Sequence, residues 1–107
     1  MSLYKNDLAS RQQLVDASVM LVERNLTSGT AGNISVMTNK GMLITPTGVS
    51  PDTLLAEHIV HMSLDGVTDM GQLIPSSEWK IHADIYRHKR GVYSVVHCHS
   101  SYATILA

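Results

Sequence analysis

The chain has 107 residues, of which 44% are hydrophobic and 16% charged, and its net charge is −1. That length suits one domain spanning 1–107 around one core, and so balanced a charge gives no electrostatic argument for nucleic acid or an anionic membrane as partner. No apolar run approaches a bilayer span, the N-terminus lacks a signal-peptide pattern, and the single cysteine excludes an intrachain disulfide framework, so the cytoplasm is the expected compartment.

Between about Asp7 and Asn25, Leu8, Val15, Val19 and Val22 recur at helical spacing, with Leu14 and Leu21 widening the stripe. This predicts an amphipathic helix. The small residues Thr27-Ser28-Gly29-Thr30-Ala31-Gly32-Asn33 then predict a loop. Ile34 and Val36 alternate with polar neighbours, and Asn39-Lys40-Gly41 turns the chain into Met42-Leu43-Ile44-Thr45, the pattern of a β-hairpin. Pro46-Thr47-Gly48 ends the second strand, and Ser50-Pro51-Asp52 predicts the start of a short helix. Ile59 to Met62 reads as a strand, followed by a turn at Leu64-Asp65-Gly66. A further helix is expected from Pro75-Ser76-Ser77, with Trp79, Ala83 and Tyr86 on one face and Lys89-Arg90-Gly91 closing it. Tyr93 to His99 reads as a strand, and Ser100-Ser101 caps a helix carrying Ala103, Ile105 and Leu106. Only a couple of turns of that helix are present, so the chain reads as a piece of a longer one. Hairpins mixed with helices imply an α/β domain, a mixed or antiparallel sheet covered by helices.

The chemistry concentrates near the end. In a strand, residues two apart share a face, so His97 and His99 can converge on one point while Cys98 turns away as a small apolar residue. A carboxylate from Glu78, at the start of the preceding helix, would make a third donor of the kind catalytic zinc sites use. The competing reading of Glu78 is a first-turn acid complementing the helix dipole. Three small-residue stretches add a second theme: Gly29 to Asn33, Thr45 to Gly48, and Ser76-Ser77. Glycine lets backbone approach a ligand and helix starts supply spare N–H groups, so together they could cradle a phosphate without a lysine. Singly, each stretch reads as a turn or a cap. Among the remaining histidines, His58 and His61 read as surface or structural and His88 as a cation at a helix end, while His82, one turn beyond Glu78, could reach the metal or support a ligand but reads rather as helix packing.

Gly29-Thr30-Ala31-Gly32-Asn33-Ile34-Ser35, Ile44-Thr45-Pro46-Thr47-Gly48, Pro75-Ser76-Ser77-Glu78-Trp79 and Val96-His97-Cys98-His99, in that order, resemble the class II aldolase/adducin family, most closely its fuculose-phosphate aldolase branch. The resemblance implies a three-layer α/β/α domain on a mixed, largely antiparallel sheet, with this chain as its N-terminal half. It implies zinc held by Glu78, His97 and His99, and a substrate phosphate on Gly32, Asn33, Thr47, Gly48, Ser76 and Ser77. A third histidine ligand and a C-terminal tyrosine proton donor would lie downstream. The implied reaction is cleavage of a ketose 1-phosphate to dihydroxyacetone phosphate and an aldehyde through a metal-stabilised enediolate, with Glu78 moving the proton, in a homotetramer. Epimerases of the family tend to carry aspartate where Glu78 stands, so Glu78-Trp79 leans towards the aldolases. The alternatives are a pentulose-phosphate 4-epimerase, a sugar-phosphate dehydratase or decarboxylase, or a non-catalytic adducin-like association module.

Overall fold

The protein is described by a computed structural model over residues 3–98, with side chains from residue 7 onward. The expected terminal helix at Ser100–Leu106 lies outside the described residues. In chain order the elements are α1 (Leu3–Glu23), β1 (Asn33–Thr38), β2 (Gly41–Ile44), a one-turn 3-10 helix (Ala56–His58), β3 (Val60–Met62), α2 (Trp79–His88) and β4 (Ser94–His97). The strands form one sheet in the order β3-β2-β1-β4, and every described pairing is antiparallel.

Alternation along the strands assigns the two faces. Ile34 and Leu43 turn to one side, where they meet Leu14 and Val15 of α1 together with Leu54 and Ile59. Met42, Ile44, Val60 and Met62 turn to the other and meet Ala83 and Tyr86 of α2. The result is three layers, α1/sheet/α2, as the family resemblance implied. Met42, Leu43 and Ile44 are completely buried on successive sides of β2, because both faces of that strand are covered.

Local outcomes differ from the sequence expectation in three places. The inward stripe of α1 is Arg11, Leu14, Val15 and Ser18, whereas Leu8 and Val22 face solvent. Arg11 belongs to the buried face because its guanidinium donates to the Ile59 carbonyl oxygen at 2.5 Å and pairs with Asp7 at 2.8 Å, so its polar head is satisfied under the helix. Ser50-Pro51-Asp52 opens a turn, closed by Thr53 N–H to Ser50 O at 3.0 Å, rather than a helix. The Ser50 hydroxyl is spent on the Asp52 carboxylate instead of on backbone N–H groups, and the chain must drop Leu54 into the core within a few residues. Finally, α2 starts at Trp79 and not at Pro75, with Glu78 at its N-cap position. Pro75 instead bridges Pro46, and Ser76 N–H donates to Thr45 O at 2.9 Å. Those residues are held as extended chain alongside the end of β2.

A polar seam runs between α2 and β1 inside the second core. His82 is fully buried. Its Nδ1 meets the Ser35 hydroxyl at 2.7 Å and its Nε2 meets Asn33 Oδ1. Ser35 Oγ also contacts the Tyr86 hydroxyl at 2.6 Å. Burial, then the neighbouring His97, lowers the His82 pKa from 6.5 to about 4, with Glu78 pulling the other way. Burial likewise raises the pKa of Tyr86, partly offset by its hydrogen bonds to Ser35 and Val95. The seam is therefore neutral at pH 7.

This packing makes stability depend on pH. An unfolded chain accepts a proton at His82 that the folded one resists between pH 6.5 and about 4. Stability is thus intact above about pH 6.5 and declines as pH falls towards 4, by on the order of 3 kcal/mol in all. Urea midpoints followed through Trp79 fluorescence should show this slope, and His82→Gln should flatten it. Gly41, which closes the β1–β2 hairpin at φ +150°, has no room for a side chain, since a Cβ would collide with the Met62 carbonyl oxygen on β3. Gly41→Ala should cost roughly 2 kcal/mol or more by the same measurement.

Candidate active site

Hydrogen bonds gather three loops distant in sequence at one end of the sheet. Ile34 and Thr45 are joined twice: Ile34 N–H donates to Thr45 Oγ1 at 3.2 Å, and Thr45 N–H donates to Ile34 O at 3.1 Å. Thr45 O accepts from Ser76 N–H at 2.9 Å, and Thr47 N–H donates to Ile74 O at 3.0 Å. The stretch ending in Gly32-Asn33, the Thr47-Gly48 turn and the Ser76-Ser77 turn are thereby fixed side by side. Gly32 is required by contact, because a Cβ there would sit 2.9 Å from the Thr27 side chain. Gly48 is required by conformation, at φ +72°. Thr47, Gly48 and Ser77 are exposed, while Ser76 and Asn33 are buried. The Ser76 hydroxyl accepts the Glu78 N–H at 3.2 Å, so it also holds the backbone of the acidic residue that follows.

Glu78 occupies the N-cap position of α2 with φ −97° and ψ 15°, a sparsely populated region where many active-site residues sit. It does not cap the helix through its side chain. Its carboxylate points instead to β4, where Oε2 lies 2.5 Å from Nδ1 of His97. His97 is placed by register: it pairs with Asn33, the first residue of β1, and so shares a sheet face with Ser35 and with α2. The Glu78 and His97 side chains remain 32% and 26% exposed, which leaves them reachable from solvent. A carboxylate and an imidazole converging in this way are the donor types that zinc and similar divalent ions take. Among the described residues no three His, Cys, Asp or Glu side chains are placed to hold a metal ion together, and His99, the other expected donor, lies outside them. Cys98 is half-buried.

The other histidines serve structure. Nδ1 of His58 accepts the Leu55 N–H at 2.9 Å. Nε2 of His61 lies 3.1 Å from Thr38 Oγ1, and its Nδ1 lies 3.4 Å from Asp69. Nδ1 of His88 lies 2.8 Å from the Asp84 carbonyl in the last turn of α2. Sequence reasoning missed the polar seam beneath the site. Its signal was present: Glu78, His82 and Tyr86 recur every four residues on one helix face, and Asn33 and Ser35 put two polar side chains on one face of a strand. A cleft lined by Ser18, Thr27, Gly29, Thr30, Gly32, Thr45 and Pro46 opens between α1 and the glycine loop, and neither Glu78 nor His97 lines it.

Comparison with known proteins bears directly on this arrangement. The family described as class II aldolase and adducin N-terminal domain matches residues 12–107. The chain is 39% identical to the L-fuculose phosphate aldolase of Escherichia coli K12 over 103 residues, covering 96% of this chain and 46% of that protein. It is 40% identical over 100 residues to the 5-methylthioribulose-1-phosphate/5-deoxyribulose-1-phosphate aldolase of Rhodospirillum rubrum, covering 94% of this chain and 45% of that one. Among solved structures, an L-fuculose 1-phosphate aldolase superposes with a TM-score of 0.83 at 37% identity, over 90% of this chain and 46% of the other. The L-fuculose-1-phosphate aldolase of Thermus thermophilus superposes with a TM-score of 0.78 at 33% identity, over 92% and 50%. The chain spans about half the length of the curated relatives it matches. The match begins within α1 and runs through the stitched loops, Glu78 and His97, so the chain belongs to the class II aldolase and adducin N-terminal domain family.

Proposed function

We propose that the chain is the N-terminal part of a metal-dependent aldolase that cleaves a ketose 1-phosphate into dihydroxyacetone phosphate and an aldehyde. The observation that carries this reading is the approach of the Glu78 carboxylate to His97 at the edge of three stitched, hydroxyl- and glycine-rich loops. The relatives named above are aldolases acting on different sugar phosphates, and a phosphate on the end carbon is what those substrates share.

Glu78, His97 and His99 would hold the divalent ion, with zinc the metal that best suits this donor set. Bound there, it supplies Lewis-acid stabilisation of negative charge developing on substrate oxygen. The chain's own residues do the rest. Gly32, Asn33, Thr47, Gly48, Ser76 and Ser77 bind the phosphate, and this fixes the reacting carbons in register with the carboxylate. Exposed Thr47 and Ser77 contribute hydroxyls, and Gly48 lets the backbone come close. Glu78 moves the proton at the carbon that loses its bond to the aldehyde. An acid–base group placed in this way contributes about 10²–10⁴-fold in rate. The enzyme works in the cytoplasm as a homotetramer.

In the complete subunit, Glu78→Gln should lower kcat for release of dihydroxyacetone phosphate by about 10²–10⁴-fold with little change in KM. His97→Ala should remove bound zinc, read by elemental analysis of the purified protein, along with activity. A Glu78→Gln enzyme of unchanged kcat would defeat the assignment. Thr47→Val and Ser77→Ala should each raise KM for phosphorylated substrates about tenfold or more, the worth of a hydrogen bond to a charged group. Steady-state kinetics against a panel of ketose and pentulose phosphates would also separate lyase from epimerase turnover.

A further inference from the structure

The hydrogen bonds beneath the site form a chain with only one workable polarity. At one end stands Tyr86, whose buried hydroxyl meets Ser35 Oγ. The phenolic proton goes to that oxygen, 2.6 Å away. The Ser35 proton goes to His82 Nδ1, 2.7 Å away. A neutral imidazole has one donor and one acceptor nitrogen, so with Nδ1 accepting, the proton sits on Nε2 and is donated to Asn33 Oδ1. Run in the opposite sense, the chain would leave the buried Tyr86 proton with no acceptor among the described residues, an arrangement that proteins avoid. Asn33 is itself buried and stands opposite His97 in the sheet.

We propose that His82 is a positioning residue, whose Nε2–H holds the Asn33 carboxamide by its oxygen and so commits the Asn33 NH₂ group to donate to an anionic oxygen of the substrate. This rests on the reading of Asn33 as part of the phosphate cradle. It adds a reason for selectivity: with its oxygen held by His82, Asn33 presents its NH₂ side, which donates to an acceptor such as phosphate and cannot accept from an ammonium group. Tyr86 and Ser35 act through His82 by setting which of its nitrogens carries the proton.

The tautomer is testable without any assay. In a long-range ¹H–¹⁵N spectrum of histidine-labelled protein at pH 7, His82 should carry its proton on Nε2 with Nδ1 bare. A proton on Nδ1, or on both nitrogens, would overturn the proposal. In the complete enzyme, His82→Phe removes the donor and should raise KM for the sugar phosphate about tenfold with a smaller effect on kcat. His82→Gln, whose amide can still donate towards Asn33, should recover most of that loss, and equal defects in the two variants would overturn the proposal. If His82→Phe does not fold, Tyr86→Phe serves instead: freeing the chain to reverse should raise KM several-fold, and an unchanged KM would overturn the proposal. Asn33→Ala separates this inference from the reading beneath it. If Asn33→Ala leaves KM unchanged, the cradle role of Asn33 falls and takes the inference with it. If Asn33→Ala raises KM while His82→Phe does not, the positioning role alone falls.

Discussion

Everything at this site depends on how α2 is clamped to the sheet. The clamp is mostly apolar, with Ala83 and Tyr86 set on Met42, Ile44, Val60 and Met62. Hydrophobic contact is non-directional, however, and alone would tolerate some sliding of the helix. The polar seam of His82, Ser35, Tyr86 and Asn33 removes that freedom. A shift of the helix would strand buried donors and acceptors at about 1–3 kcal/mol each. With α2 locked in place, its N-cap residue Glu78 is delivered to His97 on the edge strand.

The second constraint is the ladder tying Ile34 to Thr45 and Thr45 to Ser76. It makes one rigid rim from three segments that would otherwise be separate turns. Glycine is needed where the rim has no space, at Gly32, and where the backbone is left-handed, at Gly48. Ser76 links the two systems, since its backbone joins the ladder and its hydroxyl holds the Glu78 amide. Rim and carboxylate are therefore positioned together. The proposed reaction, with a phosphate held at one end of the substrate and a proton moved at the other, would need that coupling.

The α1/sheet/α2 layering is shared with a solved L-fuculose 1-phosphate aldolase over nine-tenths of this chain. The chain covers 46% of the length of that protein. Within it lie one converging carboxylate–imidazole pair and the stitched rim. No helix among the described residues is long and apolar enough to cross a membrane.

Much of the architecture was legible from local pattern. The β1–β2 hairpin, the strand near Val60, the end of α2 and the strand leading to His97 follow from alternation, turn residues and the Lys89-Arg90-Gly91 terminus, because these signals act between neighbours in sequence. The motifs around Asn33, Thr47, Ser76, Glu78 and His97 likewise identified the family, since their order along the chain is itself a linear property. Tertiary structure decided the rest. Arg11 lies under α1 because a carbonyl 48 residues away accepts its hydrogen bond, Pro75-Ser76 is extended because Thr45 recruits it, and His82 is a buried neutral link because Asn33 and Ser35 arrive from β1. In each case the deciding partner is remote in sequence, and periodicity records only the spacing of side chains along one element, not the hydrogen bonds that element will find when it packs.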